Sequence, residues 1–270
     1  MRTLVHVSDL HFGRVNSAIL QPLLDFILRL QPDLVAVSGD LTQRARTEEF
    51  VAARNFLAAI PFPQIVVPGN HDVPLYNVFS RFFRRLDRYR RYITEDLAPF
   101  FCDDEIAVAG VNTARSLTFK DGSINTGQLA AVRDHFAPLT GGQTKIVVTH
   151  HPFDLPAGLE KGRIVGHARQ AMLTLAQCGV DLLLAGHFHL AHTGSSTARF
   201  LIPGYSALVV ASGTTTSTRG RGEPNSFNVI RTGNSRVSIE RWVWLPEEAN
   251  FVQAPAENFQ RTPDGWTATE

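Results

Sequence analysis

The sequence has little cysteine, little net charge and no long apolar run, and each shortage excludes a class of protein. Cys102 and Cys178 are the only cysteines in 270 residues, so neither a disulfide framework nor a cysteine-built metal cluster is available. Lysine and arginine total 26 against 25 acidic residues, a formal net charge of +1. That balance gives no global electrostatic footprint for nucleic acid or an anionic membrane. No stretch approaches the roughly 18 consecutive apolar residues that a bilayer-spanning helix needs. The opening MRTLVHVSDLHFG turns polar by position eight and holds no apolar core for a secretion signal. Internal repeats and linker-like segments are also missing. These shortages predict a soluble, cytoplasmic protein with no transmembrane segment.

What is present is a succession of short apolar runs. With 44% hydrophobic residues, a chain of this length can bury a sizeable core in one large domain. The runs are LVHVS (4–8), DLVAVSGD (33–40), QIVVPGNHD (64–72), IAVAGVNT (106–113), KIVVTHHP (145–152) and DLLLAGHFH (181–189). Between them, apolar residues at helical spacing predict helices over 17–30, 47–59, 126–136 and 167–178. The second helix is read with Thr47 as N-cap and Glu49 in its first turn. Alternating strand and helix predicts a layered α/β fold. The last 70 residues change character: RFLIPGYSALVVASG and NSFNVIRTGNSRVSIERWVW read as β-hairpins, and a second sheet packed on the first is expected from them. The expected organisation is one domain over 1–245, with a candidate cap helix at 74–95, and a polar, loosely held tail over 246–270.

Five of the six runs end in polar residues of similar kind. The endings are Asp9-Leu10-His11, Gly39-Asp40, Gly69-Asn70-His71-Asp72, His150-His151-Pro152 and Gly186-His187-Phe188-His189. In open α/β sheets, ligands bind beyond the carboxyl ends of the strands. If the runs are neighbouring strands, these endings meet at one edge and gather three carboxylates, one amide and six imidazoles. Such a group is costly to bury unpaired, and divalent cations remove that cost. Imidazole and carboxylate without thiolate suit Zn, Fe or Mn. Alternation along extended chain points Asp9 with His11, and His187 with His189, to the same side. The bland alternative, chance polarity at strand ends, would have to occur five times over.

The series D-x-H, G-D, G-N-H-D, H-x-P and G-H-x-H, in this order across residues 9–189, resembles the motif set of the calcineurin-like metallophosphoesterases. Singly each motif is weak; together, each at the end of an apolar run, they are specific. The resemblance implies a four-layer α/β/β/α sandwich of two mixed sheets with a dinuclear metal site at the sheet edge. Carried over motif by motif, it implies one ion held by Asp9, His11, Asp40 and His189, and another held by Asp40, Asn70, His150 and His187. The implied activity is hydrolysis of a phosphoric ester. Two cations about 3.5–4 Å apart acidify a shared water, and the resulting bridging hydroxide attacks phosphorus in line. His71 is implied not to ligate. With Asn70 it lies beside the substrate phosphate, stabilises developing charge and is the candidate acid for the leaving group.

The chain departs from the phosphoprotein phosphatase pattern at Gln43. In those relatives an aspartate shortly after G-D pairs with the histidine, so Gln43 argues against that branch and leaves Asp72 or another acid to support His71. The lipid A pyrophosphatase branch typically carries arginine where His71 stands. Compact size and an intact G-N-H-D resemble the bacterial cyclic-nucleotide and small-diester branch. The expectation is therefore a phosphodiesterase acting on a cyclic nucleotide or another small diester. Alternatives are a phosphomonoesterase, a hydrolase of phospholipid-derived esters or pyrophosphates at the membrane surface, and a non-catalytic scaffold of the same fold. Scaffolds lose ligands, and here every ligand position is filled. The expected partner is a small phosphoester rather than nucleic acid.

Other features carry two readings each. His151 and Asp72 are either supporting residues behind the ligands or plain structure. His6 reads as a core histidine, His192 as a loop residue or a substrate contact, and His135 and His167 as surface. RFFRRLDRYRRY (81–92) holds six arginines, with Phe82, Leu86, Tyr89 and Ile93 on one helical stripe. It is either a solvated arginine face on a packed helix or a basic cap and peripheral membrane contact. The loop 212–226, with Arg219 and Arg221, either reaches the phosphate site or is a long hairpin turn.

Overall fold

Strand and helix alternate as the apolar spacing predicts. The computed structural model describes residues 1–74, 85–115, 121–139, 141–155, 164–220, 222–233, 235–263 and 265–269. The first half runs β1 (Arg2–Val7), α1 (Ser17–Leu30), β2 (Leu34–Ser38), α2 (Thr47–Ala58), β3 (Gln64–Val67), α3 (Asp87–Tyr92), β4 (Phe100–Cys102), β5 (Ile106–Gly110) and α4 (Thr126–Phe136). Then follow β6 (Thr144–Val148), α5 (Ala168–Gln177), β7 (Leu182–Ala185), β8 (His192–Ser195), β9 (Leu208–Ala211), β10 (Ser226–Gly233), β11 (Arg236–Leu245), β12 (Asn250–Gln253), β13 (Glu257–Thr262) and β14 (Gly265–Thr269). Thr47 is not the cap of α2 but its first residue; Arg46 is the cap. The Glu49 carboxylate accepts the backbone N–H groups of Arg44 and Arg46 (2.7 and 3.2 Å), as an acid in a first helical turn does.

The strands form two mixed sheets. One has the order β14-β13-β11-β10-β1-β2-β3, with β12 beside β11; the other is β4-β5-β6-β7-β9-β8. In each, the strands that lead to polar motifs are parallel: β1, β2 and β3 in the first, β6 and β7 in the second. The parity of each strand sorts its side chains into layers. Leu4, Leu34, Ala36, Ile65 and Val67 face Val108, Ile146, Val148, Leu182 and Leu184 in a core between the sheets. The alternate residues Val5, Val7, Val35 and Val37 pack under α1, α2 and α3. Ala107, Ala109, Val147 and Leu183 pack under α4 and α5. The result is four layers, α/β/β/α, with strands buried on both faces.

The β-rich end departs from its expected placement. Its earlier segment adds only β9 to the second sheet, while β10 pairs with β1 and extends the first. Only the later of the two segments is a hairpin, β10 against β11. In the earlier one, β9 lies parallel to β7 and antiparallel to β8. The tail over 246–270 is not loosely held, because it contributes β12, β13 and β14. Two aromatics anchor it. Phe251 packs on Phe227 and Trp244. Trp266 is buried, its backbone N–H donating to Ser206 Oγ (2.8 Å) and its indole to Asp181 (3.3 Å).

Residues 75–84 of the candidate cap lie outside the described residues. The rest is a packed helix: Leu86 and Tyr89 are buried, and the Tyr89 hydroxyl donates to the carbonyl of Val66 (3.0 Å). Arg88 donates to the carbonyl of Ala45 (2.7 Å), while Arg90 and Arg91 are exposed. Among the described residues no helix is long and apolar enough to cross a membrane.

Candidate metal centre

The strand ends arrive level with one another. Val7 lies opposite Val37 and Val37 opposite Val66 in one sheet; Val148 lies opposite Leu184 in the other. The motifs therefore converge from two stacked sheets rather than from one edge. The gap between them is stitched by His150 Nδ1 to the Ser38 carbonyl (2.8 Å) and by the His187 N–H to Asp9 Oδ2 (3.0 Å).

Alternation along extended chain is not what aims the side chains. Asp9, His11, Asp40, His187 and His189 all adopt positive φ, between 49 and 78°. Each such L-residue costs roughly 1–2 kcal/mol, and strain of this kind concentrates where function holds it in place. The backbone kinks at each of these residues, so His187 and His189 point to different halves of the site. The glycines of the motifs have a steric role. A Cβ on Gly69 would run into Asp40, and one on Gly186 into Ser8 and Asp9.

Two clusters of donor atoms result, and they share Asp40. His11 Nε2 lies 3.6 Å from Asp9 Oδ1 and 3.7 Å from Asp40 Oδ2, and His189 Nε2 lies 3.5 Å from Asp9 Oδ1. In the other cluster, His150 Nε2 is 3.4 Å from Asp40 Oδ2. Asn70 Oδ1 stands 3.1 Å from His150 Nε2 and 3.0 Å from His187 Nδ1. Donors each about 2.1 Å from a cation, at right or tetrahedral angles, stand about 3.0–3.4 Å apart. The Asn70 cluster falls in that range and the Asp9 cluster, at 3.5–3.7 Å, lies a few tenths of an ångström above it; the latter also has an unmet need, since Asp9 Oδ1 and His11 Nε2 are buried and take part in no hydrogen bond. All seven residues expected as ligands are in these clusters.

The electrostatics suit the same purpose. Burial resists ionisation of Asp9, but the surrounding histidines, His189 foremost, hold its carboxyl well below the usual carboxylate range. Burial is likewise overcome at Asp40, chiefly by His150 and His71. Against burial, Asp40 pushes His150 up to about 9. Burial, aided by the His150 charge, pushes His187 down to about 3; burial pushes His189 down to about 4. The pocket thus offers two ionised carboxylates and neutral imidazole lone pairs. A cation entering it displaces the proton of His150.

His71 lies at the rim. Its backbone N–H donates to Asp40 Oδ1 (2.8 Å), and its ring stands edge-on to His11 at 4.8 Å. The place of a supporting acid is taken by the backbone of Gln43: His71 Nδ1 donates to that carbonyl at 2.8 Å. With Nδ1 as donor, Nε2 is an acceptor, and Arg219 Nη1 donates to it at 2.9 Å. Sequence reasoning left Arg219 undecided; the hydroxyl-rich TTTST before it was the available signal. Arg221 lies outside the described residues. Asp72 does not serve His71. Its carboxylate accepts from Leu41 N, Thr42 N, Thr42 Oγ1 and Gly69 N, which ties the Asp40 loop to the Asn70 turn. His151 Nδ1 meets the Thr113 hydroxyl (2.8 Å), and His151 lies within reach of a group formed with His150 and His187. His6 bonds Ser38 Oγ (2.9 Å), His135 stacks on Phe100, His167 bonds Ser123, and His192 opens β8.

Comparison with known proteins bears on this arrangement. The family model described as calcineurin-like phosphoesterase matches residues 2–191. A glycerophosphodiester phosphodiesterase, GpdQ, of Enterobacter lignolyticus is 38% identical over 84 residues, covering 26% of this chain and 29% of that protein. A probable cyclic nucleotide phosphodiesterase of Ruthia magnifica is 27% identical over 86 residues, covering 28% of this chain and 37% of that protein. The matches thus span about a third of each relative. Among solved structures, a dimetal phosphatase from Danio rerio aligns with a TM-score of 0.62 at 13% identity, over 93% of this chain and 98% of that one. The purple acid phosphatase PPD1 of yellow lupin aligns with a TM-score of 0.66 at 14% identity, over 94% and 53%. At those identities the structures speak for the fold.

Proposed function

The chain belongs to the calcineurin-like phosphoesterase family, and from that premise we propose that it is a metal-dependent phosphodiesterase acting on a small diester, a cyclic nucleotide or a glycerophosphodiester. The observation that carries this reading is the pair of donor clusters sharing Asp40, with His71 at their rim. Asp9, His11, Asp40 and His189 would hold one divalent cation, and Asp40, Asn70, His150 and His187 the other; Mn, Fe and Zn all suit the donors. When bound, the cations supply Lewis acidity toward phosphoryl oxygens and acidify water. The protein's own residues do the rest. Asn70 and His71 flank the reacting phosphate. The Gln43 carbonyl holds the His71 ring through Nδ1–H, which turns Nε2 toward the ester; once Nε2 takes up a proton, the imidazolium gives that proton to the leaving alkoxide. The names of the two relatives with matching sequence favour a diester over a monoester. We place the protein in the cytoplasm, where free thiols such as the exposed Cys102 stay reduced.

A substrate panel with added manganese tests the proposal: bis(p-nitrophenyl) phosphate, p-nitrophenyl phosphate, cyclic AMP and glycerophosphodiesters. Diesters should be turned over with the higher kcat/KM. A preference for p-nitrophenyl phosphate would make the enzyme a monoesterase. Metal binding with no turnover of any ester would leave a scaffold.

A further inference from the structure

The segment that follows β9 is held close against the metal centre. Ser8 N donates to Thr215 Oγ1 and Thr215 N to the Ser8 carbonyl, each at 3.0 Å. Thr216 Oγ1 donates to the Leu10 carbonyl (2.7 Å), and Thr218 N to the Arg14 carbonyl (3.0 Å). These anchors flank Asp9 and His11 in the chain. Beyond the segment, Glu223 accepts the Ala191 N–H (2.9 Å), two residues past His189. Thr214 to Ser217 are buried, and Arg219 N donates to Ser217 Oγ (3.1 Å). The origin of the Arg219 side chain is therefore set by the same strands that set the donor clusters.

The partner of that side chain is unusual. Half-buried Arg219 spends one donor on the neutral ring of His71, and among the described residues no carboxylate pairs with it. A guanidinium has five donors in a planar fork, and phosphate oxygens are stronger partners for it than an imidazole.

We propose that Arg219 is a substrate-binding residue that exchanges its hydrogen bond to His71 Nε2 for the non-bridging oxygens of the ester phosphate. The assignment rests on the phosphoesterase reading for its substrate, though not for its anion. In the free site Arg219 occupies Nε2; when the phosphate arrives, the guanidinium turns to it and leaves Nε2 open toward the ester.

The test uses the manganese-loaded full chain with Arg219→Ala and Arg219→Lys. Four things are measured: metal content, melting temperature, the inhibition constant of inorganic phosphate, and steady-state kinetics on bis(p-nitrophenyl) phosphate. Arg219→Ala should keep its metal and melting temperature, yet bind phosphate about tenfold or more weakly. KM should rise by more than kcat falls. Added guanidinium ion should restore much of the loss in Arg219→Ala and nothing in the wild type. Arg219→Lys should recover only part, because an ammonium lacks the fork. Unchanged phosphate binding and KM in Arg219→Ala would overturn the assignment. So would a loss that tracks lost metal or a lowered melting temperature and resists guanidinium. If the wild type turns over no ester, the hydrolase reading falls. Phosphate binding that still depends on Arg219 would in that case uphold the anion site.

Discussion

Replacing Asp72 by asparagine separates a structural tie from a catalytic acid. The side chain is buried, with Thr42 N and Thr42 Oγ1 on one oxygen (2.8 and 2.9 Å) and Leu41 N and Gly69 N on the other (3.2 and 2.9 Å). An amide of the same shape has one acceptor oxygen, so one pair of donors then faces an NH2 group. Hydrogen bonds to a charged group contribute about 1.5–3 kcal/mol each, and losing two costs about 3–6 kcal/mol. At about 2.1 cal/mol/K per residue, the 270 residues unfold with an entropy of about 570 cal/mol/K, so the melting temperature should fall by about 5–10 °C. Circular dichroism of the metal-free protein at pH 7.5 measures this without interference from bound cations. Leu41 and Gly69 adjoin Asp40 and Asn70, so manganese affinity should also fall, by roughly 10–100-fold, as when a group that orients a ligand is lost. A melting temperature within 1 °C or so of wild type, together with a large drop in kcat, would refute the reasoning and make Asp72 an acid acting on His71.

Asp40→Ala removes the carboxylate common to both donor clusters, so metal analysis of the purified variant should find little bound cation and the diester assay no turnover. His71→Ala leaves every expected ligand in place; it should retain its metal while kcat falls by roughly 100-fold or more, and equal rates would remove His71 from the chemistry. Chelation should lower the melting temperature, because cations that bind only the folded chain stabilise it by mass action. Titrating manganese back should restore it in step with the free-ion concentration, and a melting temperature indifferent to manganese would argue against a built site.

Much of the site was legible because its parts are local. Each motif sits within a few residues of an apolar run, and short runs ending in glycine and polar residues mark strand ends whatever surrounds them. The helices 17–30 and 126–136 were legible for the same reason, since the spacing of apolar residues reports the face that is buried. The tail was misread because β12, β13 and β14 are short and mostly polar. The contacts that seat their aromatics reach far along the chain, Phe251 to Phe227 and Trp266 to Asp181. The partner of His71 was missed because it is a backbone carbonyl, which every residue has and no residue type announces. Asp72 was adjacent to the right histidine, yet its oxygens were claimed by N–H groups of another loop.

The residues by themselves determined the alternation of strand and helix, the two faces of each strand, and the carboxylate and imidazole chemistry that ends five of them. These follow from periodicity and side-chain type, which are properties of short stretches. Tertiary structure alone decided that the five ends meet across two sheets, that left-handed backbone at Asp9, His11, Asp40, His187 and His189 aims them into two clusters, and that Arg219 reaches His71 from a distance of 148 residues along the chain. Such contacts depend on which strands become neighbours, and that is settled by how the whole set of apolar faces packs into four layers.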